Sequence, residues 1–141
     1  MNTAKELLEK AVAQKASDIF IVTGLPASMR VNHALLRVDD QRLMPRDTEQ
    51  LLREIYALAE RPMDQLLQTG DDDFSFPIPG VSRFRASAYK QRGSLSIVIR
   101  LIATSLPDPS TIGIPESIIS LVRFSNVLVL VTGPAGSGKS T

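Results

Sequence analysis

The chain has 141 residues, 43% of them hydrophobic and 22% charged, with a formal net charge of +1. That composition suits a globular domain with its own core and excludes a general electrostatic attraction to nucleic acid. The absence of cysteine excludes a disulfide framework and a thiolate zinc site, and no apolar run reaches the roughly 18–20 residues that cross a bilayer.

No signal peptide opens the chain, because the first turns are charged and amphipathic, so a cytoplasmic location is the default expectation. Thr3 is a good helix N-cap, and Glu6 completes a capping box. Leu7, Leu8, Ala11 and Val12 then share one face of a helix running to about residue 15. A strand is expected over 19–23, and Gly24, Leu25 and Pro26 turn the chain. Short strands over 28–31 and 35–38 flank Asn32 and His33, which read as a hairpin turn. His33 is the single histidine, and its place in a turn argues for a surface residue, not a catalytic one.

Pro45 and Asp47 open a second helix, carried by Leu51, Leu52, Ile55, Leu58 and Ala59, and Pro62 ends it. A short helix over 63–68 closes at Gly70. Residues 73–76, 83–89 and 94–101 then read as three consecutive antiparallel strands. Closing the second hairpin through Lys90, Gln91, Arg92 and Gly93 sets Phe84 opposite Ile99, Ala86 opposite Ile97 and Ala88 opposite Leu95. The same register sets Arg83 opposite Arg100 on the other face, with Arg85 diagonal to Arg100.

Like charges facing each other on a sheet destabilise it, so something negative should compensate. One reading is local: Asp73 near Arg85, in surface pairs worth about 0–1 kcal/mol. The other is an anion site, such as nucleotide phosphates delivered by another domain or subunit. Asp71, Asp72 and Asp73 invite a metal site. Successive strand residues alternate faces, however, so capping and pairing with arginine fit them better.

From Ile102 the composition changes: Pro107, Pro109, Gly113 and Pro115 mark a semi-rigid linker. A short helix follows over 115–124, with Ile118, Ile119 and Val122 for burial. Residues 126–131 (NVLVLV) read as a buried strand of a parallel sheet. Its neighbours are not supplied within this chain, so it is expected to stay unpaired here. Next comes Gly133-Pro134-Ala135-Gly136-Ser137-Gly138-Lys139-Ser140-Thr141, which fits G-x-x-x-x-G-K-[ST]. Glycines let backbone N–H groups approach a crowded polyanion. Lys139 would reach the β- and γ-phosphates, Ser140 would give magnesium an oxygen, and Thr141 would start an anion-attracting helix. The alternative is a plain Gly/Ser linker. Because such a loop joins a strand to a helix, the chain reads as the leading part of a longer protein.

ASDIFIVTGLPASMRVN, DDDFSFPIPGVSRFR, the QRG turn and VLVLVTGPAGSGKST together resemble the PilT-type type II/IV secretion ATPases, over nearly the whole chain. The resemblance implies an α/β (α+β) fold: a PAS-like N-terminal domain with an antiparallel sheet and flanking helices over 1–103, and a linker over 104–114. Residues 115–141 would be the first strand and P-loop of a RecA-like ATPase domain. It implies a homo-hexameric motor that binds ATP and Mg2+, works on a pilus inner-membrane platform protein and not on nucleic acid, and sits in the cytoplasm, peripheral to the inner membrane. It matches 133–141 to the Walker A loop, and Arg85 and Arg100 to N-terminal-domain arginines that reach the phosphates. The family's Walker B, acidic glutamate and histidine boxes have no counterpart before Thr141, so this chain alone is expected to be inactive. One short helix before the first motif favours the pilus-retraction branch over the extension and type II secretion branches. For the chain by itself, a non-catalytic PAS-like docking or sensor module is the alternative.

Overall fold

The computed structural model describes residues 2–103 and 108–139. The chain divides into two compact units, with the boundary between residues 104 and 105. In the first unit the order is α1 (Ala4–Ala13), β1 (Asp18–Ile21), β2 (Pro26–Val31), β3 (Ala34–Arg42), α2 (Pro45–Leu58), α3 (Asp64–Thr69), β4 (Asp71–Ile78), β5 (Ser82–Gln91) and β6 (Ser94–Ile102). The strands form one antiparallel sheet in the order β3-β2-β1-β6-β5-β4.

Local chemistry explains the helix ends. The Thr3 hydroxyl accepts from the Glu6 N–H at 3.3 Å, and the Glu6 carboxylate accepts from the Thr3 N–H at 2.8 Å, so the expected capping box is formed. Pro45 takes the first turn of α2, where its missing N–H costs nothing, and Asp47 accepts from the Met44 N–H at 2.8 Å. Gly70 ends α3 in the left-handed region, with φ of 85°. A Cβ there would meet no atom within 4 Å, so Gly70→Ala costs backbone strain alone, about 1 kcal/mol. Its expected effect is a drop of about 4–8 °C in the unfolding midpoint of the first unit, checked by thermal unfolding. An unchanged midpoint would show that the cap does not hold this conformation in solution.

Strand alternation sorts the sheet into two faces. Ile19, Ile21, Met29, Phe74, Phe76, Ile78, Phe84, Ala86, Ala88, Leu95, Ile97 and Ile99 are buried with Leu7, Leu8, Leu51, Leu52, Ile55 and Leu66 of the helices. Phe76 and Phe84 stack with centroids 5.4 Å apart, and Tyr56 of α2 meets Phe74 at 4.7 Å. The other face carries Asp18, Phe20, Arg30, Arg85, Ser87, Val98 and Arg100 by the same alternation.

The expected faces hold, but the hairpin register is corrected. The β5–β6 turn is the two residues Arg92 and Gly93, with φ of 50° and 82°, instead of four. Positive φ at both positions gives a turn whose twist matches the strands; Asn32 and His33, at 48° and 66°, do the same between β2 and β3. The pairing therefore slides by two residues. Phe84 faces Leu101, Ala86 faces Ile99 and Ala88 faces Ile97. A two-residue slide keeps every side chain on its face but changes the partners: Arg85 lies opposite Arg100, and Arg83 opposite Ile102.

The second unit is described by itself. Residues 104–107 of the expected linker lie outside the described residues. The expected helix over 115–124 is one α-turn, α4 (Glu116–Ile119), followed by a 3-10 turn (Ser120–Arg123). Its apolar residues are not buried as expected: Ile118, Ile119 and Val122 are exposed. Residues 126–131 form no strand ladder, and Val127 to Val131 are 49–83% exposed. A β-strand satisfies its backbone groups only through neighbours, and none is paired to it among the described residues.

Candidate functional site

One cross-strand row organises the helix-free face. Arg30 of β2 is opposite Asp18 of β1, Asp18 is opposite Arg100 of β6, Arg100 is opposite Arg85 of β5, and Arg85 is opposite Ser75 of β4. Asp18, Arg85, Ser87, Val98 and Arg100 line a depression of about 300 Å³. The charges along the row are unequal: three guanidiniums to one carboxylate.

Each guanidinium is held differently. Arg30 lies over the Phe20 ring at 5.2 Å, with its Nη1 4.0 Å from Asp18 Oδ2. The Nε of Arg100 donates to Asp18 Oδ1 at 3.2 Å while the side chain stays 73% exposed. Arg85 has no ion pair among the described residues. The local reading, in which Asp73 balances Arg85, is not realised: Asp73 faces Ser87 across the ladder and accepts from its hydroxyl. Two like charges on adjacent strands, with the Asp18 carboxylate beside Arg100 and none beside Arg85, make a place where an anion is favourable.

The glycine-rich loop is the other candidate. Gly136 and Gly138 have φ of 80° and 89°, the conformation that turns successive N–H groups toward one side. At Gly133 a Cβ would stand 2.5 Å from Ser137 Oγ, so a larger residue there would turn that hydroxyl away. Ser137 donates to the Pro134 carbonyl through Oγ at 2.7 Å and through N–H at 3.2 Å. Lys139 folds back, its Nζ donating to the Gly133 carbonyl at 3.1 Å. Gly133, Pro134, Ala135, Gly136, Ser137, Gly138 and Lys139 are all exposed. The geometry fits a phosphate cradle with a cation at its mouth. Ser140 and Thr141, expected for magnesium and for the helix start, lie outside the described residues.

Sequence reasoning missed two groups. The first is Asp18, just ahead of the strand expected over 19–23. Its alternation with Phe20 gives its face, but its place between Arg30 and Arg100 follows from strand order, which local spacing does not reveal. The second is the trio at the end of α2, where Arg61 is the arginine partner expected for Asp72 and the buried Tyr56 hydroxyl is the member not foreseen. Asp72 accepts from the Tyr56 hydroxyl at 2.9 Å and from Arg61 Nε and Nη2 at 2.9 and 2.8 Å. Arg61 also lies 5.4 Å over the Phe74 ring. The Arg61 hydrogen bonds, and then the Tyr56 one, hold the Asp72 carboxyl below its ordinary range despite burial. Burial first, and then Asp72, push the Tyr56 hydroxyl well above its ordinary value. This trio fastens α2 to β4 and leaves Asp72 no free valence for a metal. No group of three possible metal ligands occurs among the described residues.

The chain is similar to known proteins along its length. The family model for the type II/IV secretion system protein matches residues 1–141. The type IV pilus retraction ATPase PilT of Pseudomonas aeruginosa is 36% identical over 137 residues, covering 96% of this chain and 39% of that protein. The type IV pilus ATPase PilU of the same organism is 31% identical, covering 97% of this chain and 35% of that one. Among solved structures, the pilus retraction motor PilT with bound ADP superposes with a TM-score of 0.81 at 36% identity, over 100% of this chain and 41% of that one. The Legionella pneumophila ATPase DotB gives a TM-score of 0.60 at 32% identity, over 99% and 40%. The chain thus spans about two-fifths of the length of these relatives. Matched from its first residue to its last, the chain belongs to the type II/IV secretion system protein family, a family of secretion and pilus ATPases.

Proposed function

We propose that the chain is the leading part of an ATP-hydrolysing motor that withdraws type IV pilus subunits and so drives twitching motility. The observation that carries this is the glycine loop ending in Lys139, in a chain 36% identical to PilT. The reaction is phosphoryl transfer from ATP to water. The Gly133–Lys139 backbone cradles the phosphates, and Lys139 exchanges the Gly133 carbonyl for phosphate oxygens. Arg85 and Arg100 contact phosphate delivered by another domain or subunit, where they steady the charge that develops during transfer. Ser140 would give magnesium an oxygen.

The motor acts as a homo-hexamer in the cytoplasm, peripheral to the inner membrane, against a membrane platform protein. The family model's description as a type II/IV secretion system protein and the 32% identity to the ATPase DotB support a second reading, a secretion or extension motor with the same chemistry. The test is ATP turnover and magnesium-dependent nucleotide binding on this chain and on the full-length protein, side by side. Turnover and binding are expected in the full-length protein alone, this chain being its docking module. Tight binding by the short chain would overturn the division of labour, and no binding by either would overturn the nucleotide reading. Loss of pilus retraction in a deletion strain, with assembly intact, separates retraction from extension.

A further inference from the structure

The proposed phosphate contact leaves one carboxylate unexplained. Asp18 is buried, its side chain 8% exposed, yet it sits in the row that is meant to attract an anion. A carboxylate there opposes phosphate binding by charge alone. Its hydrogen bonds show what it contributes instead. The Ser17 hydroxyl donates to Oδ2 at 2.8 Å and fixes the carboxylate, while Oδ1 accepts from Arg100 through Nε. The two Nη groups of Arg100 have no protein partner among the described residues, and Arg100 and Arg85 both line the depression. Without Asp18, two guanidiniums on directly opposed residues would repel, and an exposed arginine would turn to solvent.

We infer that Asp18 is a positioning residue: it grips Arg100 by Nε alone and so presents the Nη groups, beside Arg85, to a transferring phosphate. This rests on the phosphate-contact reading proposed above. A guanidinium can serve two partners in this way because its donors are spread over a rigid fork. A lysine ammonium, with one nitrogen, would be drawn to Asp18 and lost to the phosphate.

The test is steady-state ATP turnover by the full-length protein, with thermal unfolding as a control. Asp18→Ala is expected to lower kcat on the order of tenfold or more, the scale of misplaced catalytic groups, with little change in KM. Asp18→Asn keeps an oxygen that can accept from Nε, and is expected to recover most of kcat. In an Arg100→Ala background, Asp18→Ala should add less than about twofold, since coupled residues are not additive. Arg100→Lys, which keeps the charge and does not require Asp18→Ala to fold, should lose as much kcat as Arg100→Ala. The inference is overturned if Arg100→Lys retains wild-type kcat, if the Asp18 and Arg100 effects simply add, or if Asp18→Ala and Asp18→Asn both tighten nucleotide binding without lowering kcat. If Arg85→Ala and Arg100→Ala leave turnover unchanged, the phosphate-contact reading itself fails, which is a different result.

Discussion

Asp72→Ala lowers the unfolding midpoint of the first unit by more than about 10 °C, on the order of 3 kcal/mol. Asp72 is 2% exposed, and its two oxygens receive Arg61 and the Tyr56 hydroxyl. Removing it orphans Tyr56, itself 2% exposed, inside the core. It also frees the chain after α2, which Arg61 ties to the start of β4. A surface ion pair would be worth a fraction of this, so the size of the effect distinguishes the two situations. Thermal or urea unfolding of the full-length protein, following the first unit's transition, gives the value, and a loss under about 1 kcal/mol would show that the trio relaxes onto water.

The trio also makes a pH prediction. The Arg61 hydrogen bonds depress the folded pKa of Asp72 below its unfolded value, near 3.9 for an ordinary aspartate. A depressed carboxyl stabilises the fold above that unfolded value and loses the contribution as pH falls through the folded one. The stability gap between wild type and Asp72→Asn is therefore constant from neutral pH to about pH 5, and narrows below about pH 4. A gap that widened on acidification would reverse the sign of the shift.

Much of the fold is legible in the residues because its signals are local. The Thr3–Glu6 box, Pro45, Gly70 and the alternation of Phe84, Ala86 and Ala88 each act within a few positions, and each element forms where these place it. The hairpin register fails by two residues because an Arg-Gly pair does not advertise a two-residue turn as Asn-Gly does; only φ of 50° at Arg92 reveals it. Alternation is blind to a two-residue slide, so the faces come out right and the opposed pair wrong. Strand order is the deeper gap. β1 pairs with β6 across most of the unit, and no local pattern places Asp18 beside Arg100. For the same reason an arginine excess is visible in the sequence, while the carboxylate that orders it is not. Residues 126–131 carry the same lesson: their composition states a strand, but a strand is a property of its neighbours, and among the described residues they pair with none.

Lys139→Ala in the full-length protein abolishes tight nucleotide binding, weakening it on the order of 100-fold or more, which corresponds to about 2.8 kcal/mol. In the structure Lys139 spends its charge on one neutral acceptor, the Gly133 carbonyl at 3.1 Å, and the loop around it is exposed. Exchanging that carbonyl for phosphate oxygens replaces a neutral acceptor with charged ones, and the backbone amides of the loop add to them. Alanine leaves those amides, together with the left-handed Gly136 and Gly138, so the loop keeps its shape and loses only the cation. The contrast with the arginines makes the experiment informative. Arg85→Ala and Arg100→Ala should lower turnover while nucleotide still binds, because their contribution comes when charge develops in transfer. Lys139→Ala should lose binding first. Equilibrium titration with ADP and with a slowly hydrolysed ATP analogue, beside turnover, separates the two patterns. Unchanged turnover in Lys139→Ala would remove the loop from the nucleotide site altogether, and equal binding losses in all three variants would mean that the arginines hold the ground-state nucleotide instead of its transition state.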